Sequence, residues 1–293
     1  MGVVLMRCGA ALRGNGDAHL TCGAFNDAHG CLNIVGIEVG HLGFRDLTQL
    51  VSGDRAGLGL GRGVRPFLQT CGLQNQSPLY VREGLYGPQR LLLDPNSLSD
   101  NGTVALAEWA ASSDGRYLAY ALQDRGSDWR TLHVLDVSSG EVMSDRIDWV
   151  KFSNLSWDAQ GQGFFYSRFP APDDRARYRA PNQDQMIYYH RLGTPQDQDR
   201  LIYATPGQPR LGHRAQVTDD GRWLVISSSE NSSARNAVSI VRLDEARLAK
   251  GGKLRRHPLV RQLGNEWRLI GGQGDTLLFL TDYGAPNMRI VAF

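Results

Sequence analysis

Residues Ser112–Leu122 read SSDGRYLAYAL, and Thr218–Ser228 read TDDGRWLVISS. Each stretch opens with a polar turn built on Asp-Gly, where glycine accepts positive φ without a side-chain clash. Each then enters a strand that has no polar face. In RYLAYAL, Tyr117, Ala119 and Ala121 fall on one side, and Leu118, Tyr120 and Leu122 on the other. RWLVIS behaves in the same way. A strand apolar on both faces has to be covered on both faces.

Two weaker copies have the same shape, WDAQGQGFFYSRF (Trp157–Phe169) and GGQGDTLLFLTD (Gly271–Asp282). The anchor glycines Gly115, Gly161, Gly221 and Gly274 follow one another at steps of 46, 60 and 53 residues. A second hairpin follows the first copy in TLHVLDVSSGEVM, turning at Ser138-Ser139-Gly140. Its counterpart after the third anchor is AVSIVRLDEARLAKGGKL. Each unit therefore offers about four short strands and no amphipathic helix. Tandem four-stranded sheets of roughly 40–50 residues, each covered by its neighbours, describe β-propeller blades. The expected fold is all-β: a partial β-propeller of about four four-stranded blades over residues 72–293, preceded by a poorly defined N-terminal region, 1–71. A β-sandwich accounts for the number of strands but not for the recurring turn-and-strand phrase.

Residues 1–71 differ in composition from the rest. They hold all four cysteines (Cys8, Cys22, Cys31, Cys71), whereas all six Trp and all ten Tyr lie beyond them. The cysteines show no C-x-x-C spacing, so no metal site is read from them. GLGLGRG fits neither phosphate-loop pattern and reads as a flexible loop. The net charge of +2 over 293 residues steers the chain toward neither nucleic acid nor a membrane. No apolar run approaches the ~18–20 residues of a membrane span, and the N-terminus lacks the apolar core of a secretory signal. A cytoplasmic location is expected. Arg outnumbers Lys 29 to 3, which reads as codon bias of a GC-rich gene.

Beyond residue 72 the wording itself is specific. GLQNQSPLYVREGLYGPQRLLLDPNSLSDNGTVAL (Gly72–Leu106), SDGRYLAYALQDRGSDWRTLHVLDVSSG, VKFSNLSWDAQGQGFFYSRFP, IYYHRLGTPQDQDRLIY and TDDGRWLVIS stand in order. Together they resemble the propeller domain of prolyl oligopeptidases (prolyl endopeptidases). The resemblance implies a serine peptidase architecture in which a seven-bladed propeller covers an α/β-hydrolase domain. That enzyme cleaves short peptides after proline, and its propeller restricts entry to oligopeptides. The nucleophilic Ser, the Asp and the His lie in the hydrolase domain, C-terminal to the propeller.

These 293 residues contain no G-x-S-x-G elbow. The expectation is a chain without the catalytic domain and without peptidase activity of its own, the product of a truncated or misread gene. Residues 1–71 do not resemble the family and are expected to come from another reading frame or an unrelated leader. No catalytic residue, cofactor or metal ligand is assigned. The implied partner is an oligopeptide substrate, if the chain is joined to a hydrolase domain. Nucleic acid and membrane are not expected as partners. The open blade edges leave room for self-association by strand pairing. A standalone propeller acting as an interaction module, and a non-functional gene product, are the other readings.

By resemblance, Phe152 in VKFSNLSW occupies the position where a propeller aromatic faces the substrate pocket near the proline subsite. A blade-core aromatic is the alternative. Ser229 and Ser232 stand where the family often has Arg and Cys, and Gly212 where it has an apolar residue, so their assignment as substrate-facing is weaker. His133 and His190 sit in strand contexts and read as structural. His19, His29, His41, His213 and His257 are expected in loops or in the N-terminal region. Trp109, Trp157 and Trp223 read as packing residues. The basic stretch Arg247–Arg261 and the polar insertion Ala171–Gln185 read as solvated loops between strands.

Overall fold

The strand that carries the repeated phrase lies between two separate cores. β7 (Tyr117–Asp124) sends Ala119 and Ala121 into one apolar cluster, and Leu118 and Tyr120 into another. The same split recurs in β11 (Gly163–Arg168), with Phe164 and Tyr166 on one side and Phe165 on the other. It recurs again in β15 (Trp223–Glu230), where Leu224 and Ile226 face away from Val225. Each core is thus a seam between two stacked sheets, as the two-sided apolar pattern requires.

A computed structural model describes residues 4–12, 18–24, 64–68, 75–83, 87–172, 182–230, 232–243 and 254–293. The first sheet is β3 (Val64–Leu68), β4 (Leu79–Glu83) and β5 (Gln89–Leu93). The second blade is β6 (Val104–Ala111), β7, β8 (Arg130–Asp136) and β9 (Val142–Val150). The third is β10 (Ser156–Trp157), β11, β12 (Met186–Arg191) and β13 (Arg200–Tyr203). The fourth is β14 (Leu211–Val217), β15, β16 (Asn236–Arg242) and β17 (Arg256–Val260). The fifth is β18 (Trp267–Gln273), β19 (Thr276–Thr281) and β20 (Arg289–Ala292). A hairpin of β1 (Val4–Leu12) and β2 (Ala18–Ala24) pairs along β20, with Val4 opposite Ala292. Within each blade the strands are antiparallel neighbours in chain order. The all-β propeller architecture is as expected from the repeats, and β3 adds a strand that begins before residue 72. Among the described residues no helix is long and apolar enough to cross a membrane.

The repeated turn has a hydrogen-bond network that explains its wording. The Ser112 hydroxyl donates to Asp114 Oδ1 at 2.6 Å and accepts the Tyr117 N–H at 2.9 Å. Asp114 Oδ1 also accepts the Arg116 N–H at 3.0 Å. Thr218, Asp220, Arg222 and Trp223 reproduce these bonds at 2.6, 3.1 and 3.0 Å. In the third blade Asp158 replaces the hydroxyl residue, and its Oδ1 takes the N–H groups of Gln160 and Gln162. The turns also bind one another across the seams. Ser113 donates to the Ala159 carbonyl at 2.7 Å, and the Gly274 N–H donates to Asp220 Oδ2 at 2.9 Å. They therefore form a continuous row at one end of the blades.

Gly221 shows how tight this row is. Its φ is +70°, and a Cβ there would lie 2.3 Å from the Ala159 side chain of the preceding blade. Gly221→Ala combines a left-handed backbone with an inter-blade clash, so a loss of about 2 kcal/mol or more is expected. Gly126→Ala shares the left-handed backbone but meets nothing within 4 Å. It should cost clearly less in the same urea titration.

The tryptophan expectations are specific in outcome. Trp157 is buried and its indole N–H donates to the Ala110 carbonyl of the neighbouring blade at 2.8 Å. The Trp223 indole does the same to Gly274 at 2.8 Å. Trp109 packs against the seam between the first and second sheets. Two histidines expected in loops lie in strands instead: His213 in β14 and His257 in β17. For His213 the cause is packing, because its ring fills a buried polar niche that local sequence does not reveal. Residues 173–181 of the polar insertion and 247–253 of the basic stretch lie outside the described residues. The second half of the basic stretch is not loop but includes β17, Arg256–Val260, which pairs with β16.

Candidate functional site

The two ends of the blades differ in backbone chemistry. Glycines of positive φ occur at both ends, Gly115, Gly140, Gly161, Gly193, Gly221 and Gly274 at the turn-row end and Gly102, Gly126, Gly207 and Gly284 at the other. These are positions where glycine carries no steric penalty. Among the described residues, five that are not glycine have positive φ, and all of them are at one end: Arg125, Trp149, Phe152, Asp184 and Met288. Since the strands alternate in direction, this is the end opposite the turn row, with Trp149 next to last in β9 and the other four in the connections after β7, β9, β11 and β19. A bulky side chain in the left-handed region costs of order 1–3 kcal/mol and persists only where its surroundings impose it. Strain of this kind concentrates at functional surfaces.

Phe152 is at the centre of this end. It follows β9 in the loop that crosses to the third blade, with φ 54° and 46% exposure. The residues around it are tied at four points, to Gln185 and to the strands β11, β14 and β6. The Lys151 carbonyl accepts from Gln185 Nε2 at 2.9 Å. The Ser153 hydroxyl accepts the Ser167 N–H at 2.7 Å. The Asn154 side-chain amide bonds both backbone groups of Ala215 in the fourth blade, at 2.6 and 3.2 Å. The Leu155 N–H donates to Glu108 Oε1 at 3.2 Å. A loop anchored on both sides of one residue holds that residue outward, and Phe152 is not a blade-core aromatic.

Beside Phe152 lies an aromatic and cationic cluster. The Lys151 ammonium sits 5.2 Å from the Trp129 ring centroid and 5.2 Å from that of Phe152, with the Asp128 carboxylate at 3.5 Å. Trp129 meets Trp149 edge-on at 5.8 Å and Phe169 at 6.3 Å. Ammonium–ring contacts at this distance are attractive and favour a fixed ring orientation.

Gln185 and His213 carry the geometry across the next seam. Buried Gln185 accepts the His213 N–H at 2.6 Å while donating to Lys151. The His213 ring contacts the Ser228 hydroxyl at 2.9 Å and the Thr205 hydroxyl at 3.1 Å. Burial lowers its pKa to about 4, so the ring is neutral at ordinary pH. Ser229 pairs with Gly212 across β14 and β15, and Ser232 is exposed in the turn that follows. A Cβ on Gly212 would press on Gln185 Oε1 at 3.2 Å. Gln185 therefore occupies space that an apolar residue at 212 would need. Phe152, Ser229 and Ser232 lie at the same end of the blades. Local sequence did not reveal Trp129, Trp149, Lys151, Gln185 or His213. The one signal was the run of polar residues in FSNLS, whose side chains turn out to anchor the loop.

Comparison with known proteins places this arrangement. Residues 45–293 match the family model described as prolyl oligopeptidase, N-terminal beta-propeller domain. The chain is 36% identical over 225 residues to a prolyl endopeptidase of Elizabethkingia miricola, covering 77% of this chain and 30% of that protein. It is 32% identical over 246 residues to a prolyl oligopeptidase of Omphalotus olearius, covering 76% and 32%. Among solved structures, one from a study of two prolyl endopeptidases aligns with TM-score 0.70 at 40% identity, covering 79% of this chain and 32% of the other. Prolyl oligopeptidase B of Galerina marginata, bound to a 25-residue macrocyclization substrate, aligns with TM-score 0.72 at 25% identity, covering 85% and 38%. The chain thus spans about a third of the length of the relatives it matches. It belongs to the prolyl oligopeptidase family and represents that family's N-terminal β-propeller domain.

Proposed function

We propose that this chain is the substrate-gating propeller of a serine endopeptidase that cleaves oligopeptides after proline, and that it has no peptidase activity by itself. The observation that carries the reading is the asymmetry of the two ends. One end is a row of hydrogen-bonded turns in which every described residue of positive φ is glycine. The other presents Phe152 on a strained, anchored loop, which suits a surface that meets a substrate and a second domain. In this reading the hydrolase domain docks on the loop end and supplies nucleophile, base and oxyanion site. Phe152 contributes apolar contact to the acyl side of the bound peptide, with Lys151 and Trp129 fixing its ring. Ser229 and Ser232 line the same end, where smaller polar groups leave room for larger peptide side chains.

Two assays test the proposal. The isolated chain should neither hydrolyse a fluorogenic Gly-Pro peptide nor be labelled by a serine-directed fluorophosphonate. Labelling at a serine of this chain would overturn the inactivity. In a chimaera, these residues replace the matching segment of the E. miricola relative. There Phe152→Ala should lower kcat/KM for a proline-containing octapeptide about tenfold, the worth of one aromatic contact of ~1.4 kcal/mol. An unchanged kcat/KM would remove Phe152 from the site.

A further inference from the structure

The seam between the second and third blades is built differently from its neighbours. β6 to β13 form one continuous eight-stranded sheet, because Arg168 at the end of β11 pairs with Val150 at the end of β9. The Phe169 N–H adds a bond to the Trp149 carbonyl at 3.2 Å. Along the outer strands, buried side chains tie the two blades again. His190, on β12, has Nε2 2.9 Å from Asp145 Oδ1 on β9 and Nδ1 2.6 Å from Asp199 Oδ1 beside β13. All three side chains are fully buried. Asp145 Oδ1 also accepts the Gly193 N–H at 2.7 Å, and Asp199 Oδ2 accepts the Tyr166 hydroxyl at 2.6 Å. Close by, the Gln196 side-chain amide bonds both backbone groups of Asp148, each at 3.0 Å.

The geometry determines the protonation of His190. Each ring nitrogen faces a carboxylate oxygen, which as an ionised group only accepts, so both nitrogens carry a proton. The other groups around the ring are Phe164, with its centroid at 5.4 Å, and Tyr166, whose hydroxyl is committed to Asp199 and lies within the influence of Arg168. The imidazolium is thus a buried cation held between carboxylates of two blades. Breaking one partner of such a group leaves an uncompensated buried charge. Across the following seams the buried and half-buried side-chain ties are neutral: Asn154 to Ala215 and Ser156 to Val217 at 2.9 Å, then Asn236 to Trp267 at 2.8 and 3.0 Å. The charged hydrogen bonds there, Arg256 to the Tyr203 hydroxyl at 3.4 Å and the Gly274 N–H to Asp220 at 2.9 Å, are exposed. The ion pair across the fourth and fifth sheets, Arg222 with Asp275 at 3.8 Å, is half or more exposed and correspondingly weak.

We propose that the His190 imidazolium is a lock that makes the second and third blades open and close as one body, so that opening of this propeller region takes place at its other seams. This does not depend on the peptidase reading. It rests on the continuous sheet and on the charged tie at its outer strands.

Hydrogen exchange of the full chain, resolved by segment, tests it. In the unaltered protein, β9 and β12 should exchange with the same opening constant. Asp145→Asn should raise exchange in both about tenfold or more, and leave β15 and β16 within twofold. Acceleration of β9 alone, an equal rise in every blade, or no change would overturn the lock. Should the variant fail to fold, the unaltered protein decides the matter. ¹⁵N NMR should show both His190 ring nitrogens protonated at pH 8, and a neutral ring at pH 7 would contradict the proposal.

Discussion

Phe164→Ala and Phe165→Ala should each destabilise the protein by about 3–5 kcal/mol, although the two residues are adjacent in one strand. Both are fully buried. Phe164 lies 5.2 Å from Trp157 and 6.2 Å from Tyr166, in the seam with the second blade. Phe165 lies 5.0 Å from Tyr189, in the seam with the fourth. Neighbouring strand residues point to opposite faces. In a sheet with one wet face, one of the two changes would stay within about 0.5 kcal/mol. Urea titrations of both variants decide this, with Leu224→Ala and Val225→Ala as a second adjacent pair. A cheap member in either pair would contradict the two-sided packing.

Stability should be greatest near neutral pH and fall on both sides, because two buried histidines act in opposite directions. For His190, burial alone would lower the pKa, but the hydrogen bonds and charges of Asp145 and Asp199 outweigh it and raise the value to about 9. A raised folded-state value stabilises fully below the unfolded value of about 6.5. That contribution, about 3 kcal/mol, is lost as pH rises through about 9. His213 is the reverse. Its value is lowered to about 4 by burial, so the unfolded chain takes up a proton first as pH falls below about 6.5. By pH 4 this withdraws about 3 kcal/mol. Asp145 adds to the acid limb: despite burial, the His190 hydrogen bond holds its carboxyl below the usual range. Its stabilisation is present above the unfolded value and lost as pH falls through the folded one. Denaturation midpoints measured from pH 4 to 10 should trace this dome. A stability flat between pH 7 and 10 would mean that His190 is not held as a cation.

What was legible in the sequence was whatever depends on near neighbours. The Asp-Gly turn and the two-sided strand that follows are local, so the blade fold could be read from Ser112–Leu122 and its copies. Even there, the Ser or Thr two residues before the Asp showed its purpose only once its bonds to Asp114 and Tyr117 were seen. The site was less legible, because its residues are joined by contacts distant in sequence. Gln185 links Lys151 to His213, and Asn154 reaches Ala215. Nothing around LGHRAQV marks His213 as a buried strand residue, since its partners Thr205 and Ser228 come from other elements. His190 was readable as structural from IYYHRLG, but Asp145 and Asp199 were not readable as its partners.

The role proposed for these residues is a gate admitting oligopeptides to a prolyl-specific hydrolase. Its most direct test uses the chimaera with the E. miricola hydrolase domain. Cleavage of a proline-containing octapeptide would be compared with cleavage of the same eight residues placed in an exposed loop of a folded protein. The account predicts turnover of the octapeptide and at least a hundredfold slower cleavage of the folded protein. Equal rates for the two substrates would contradict it.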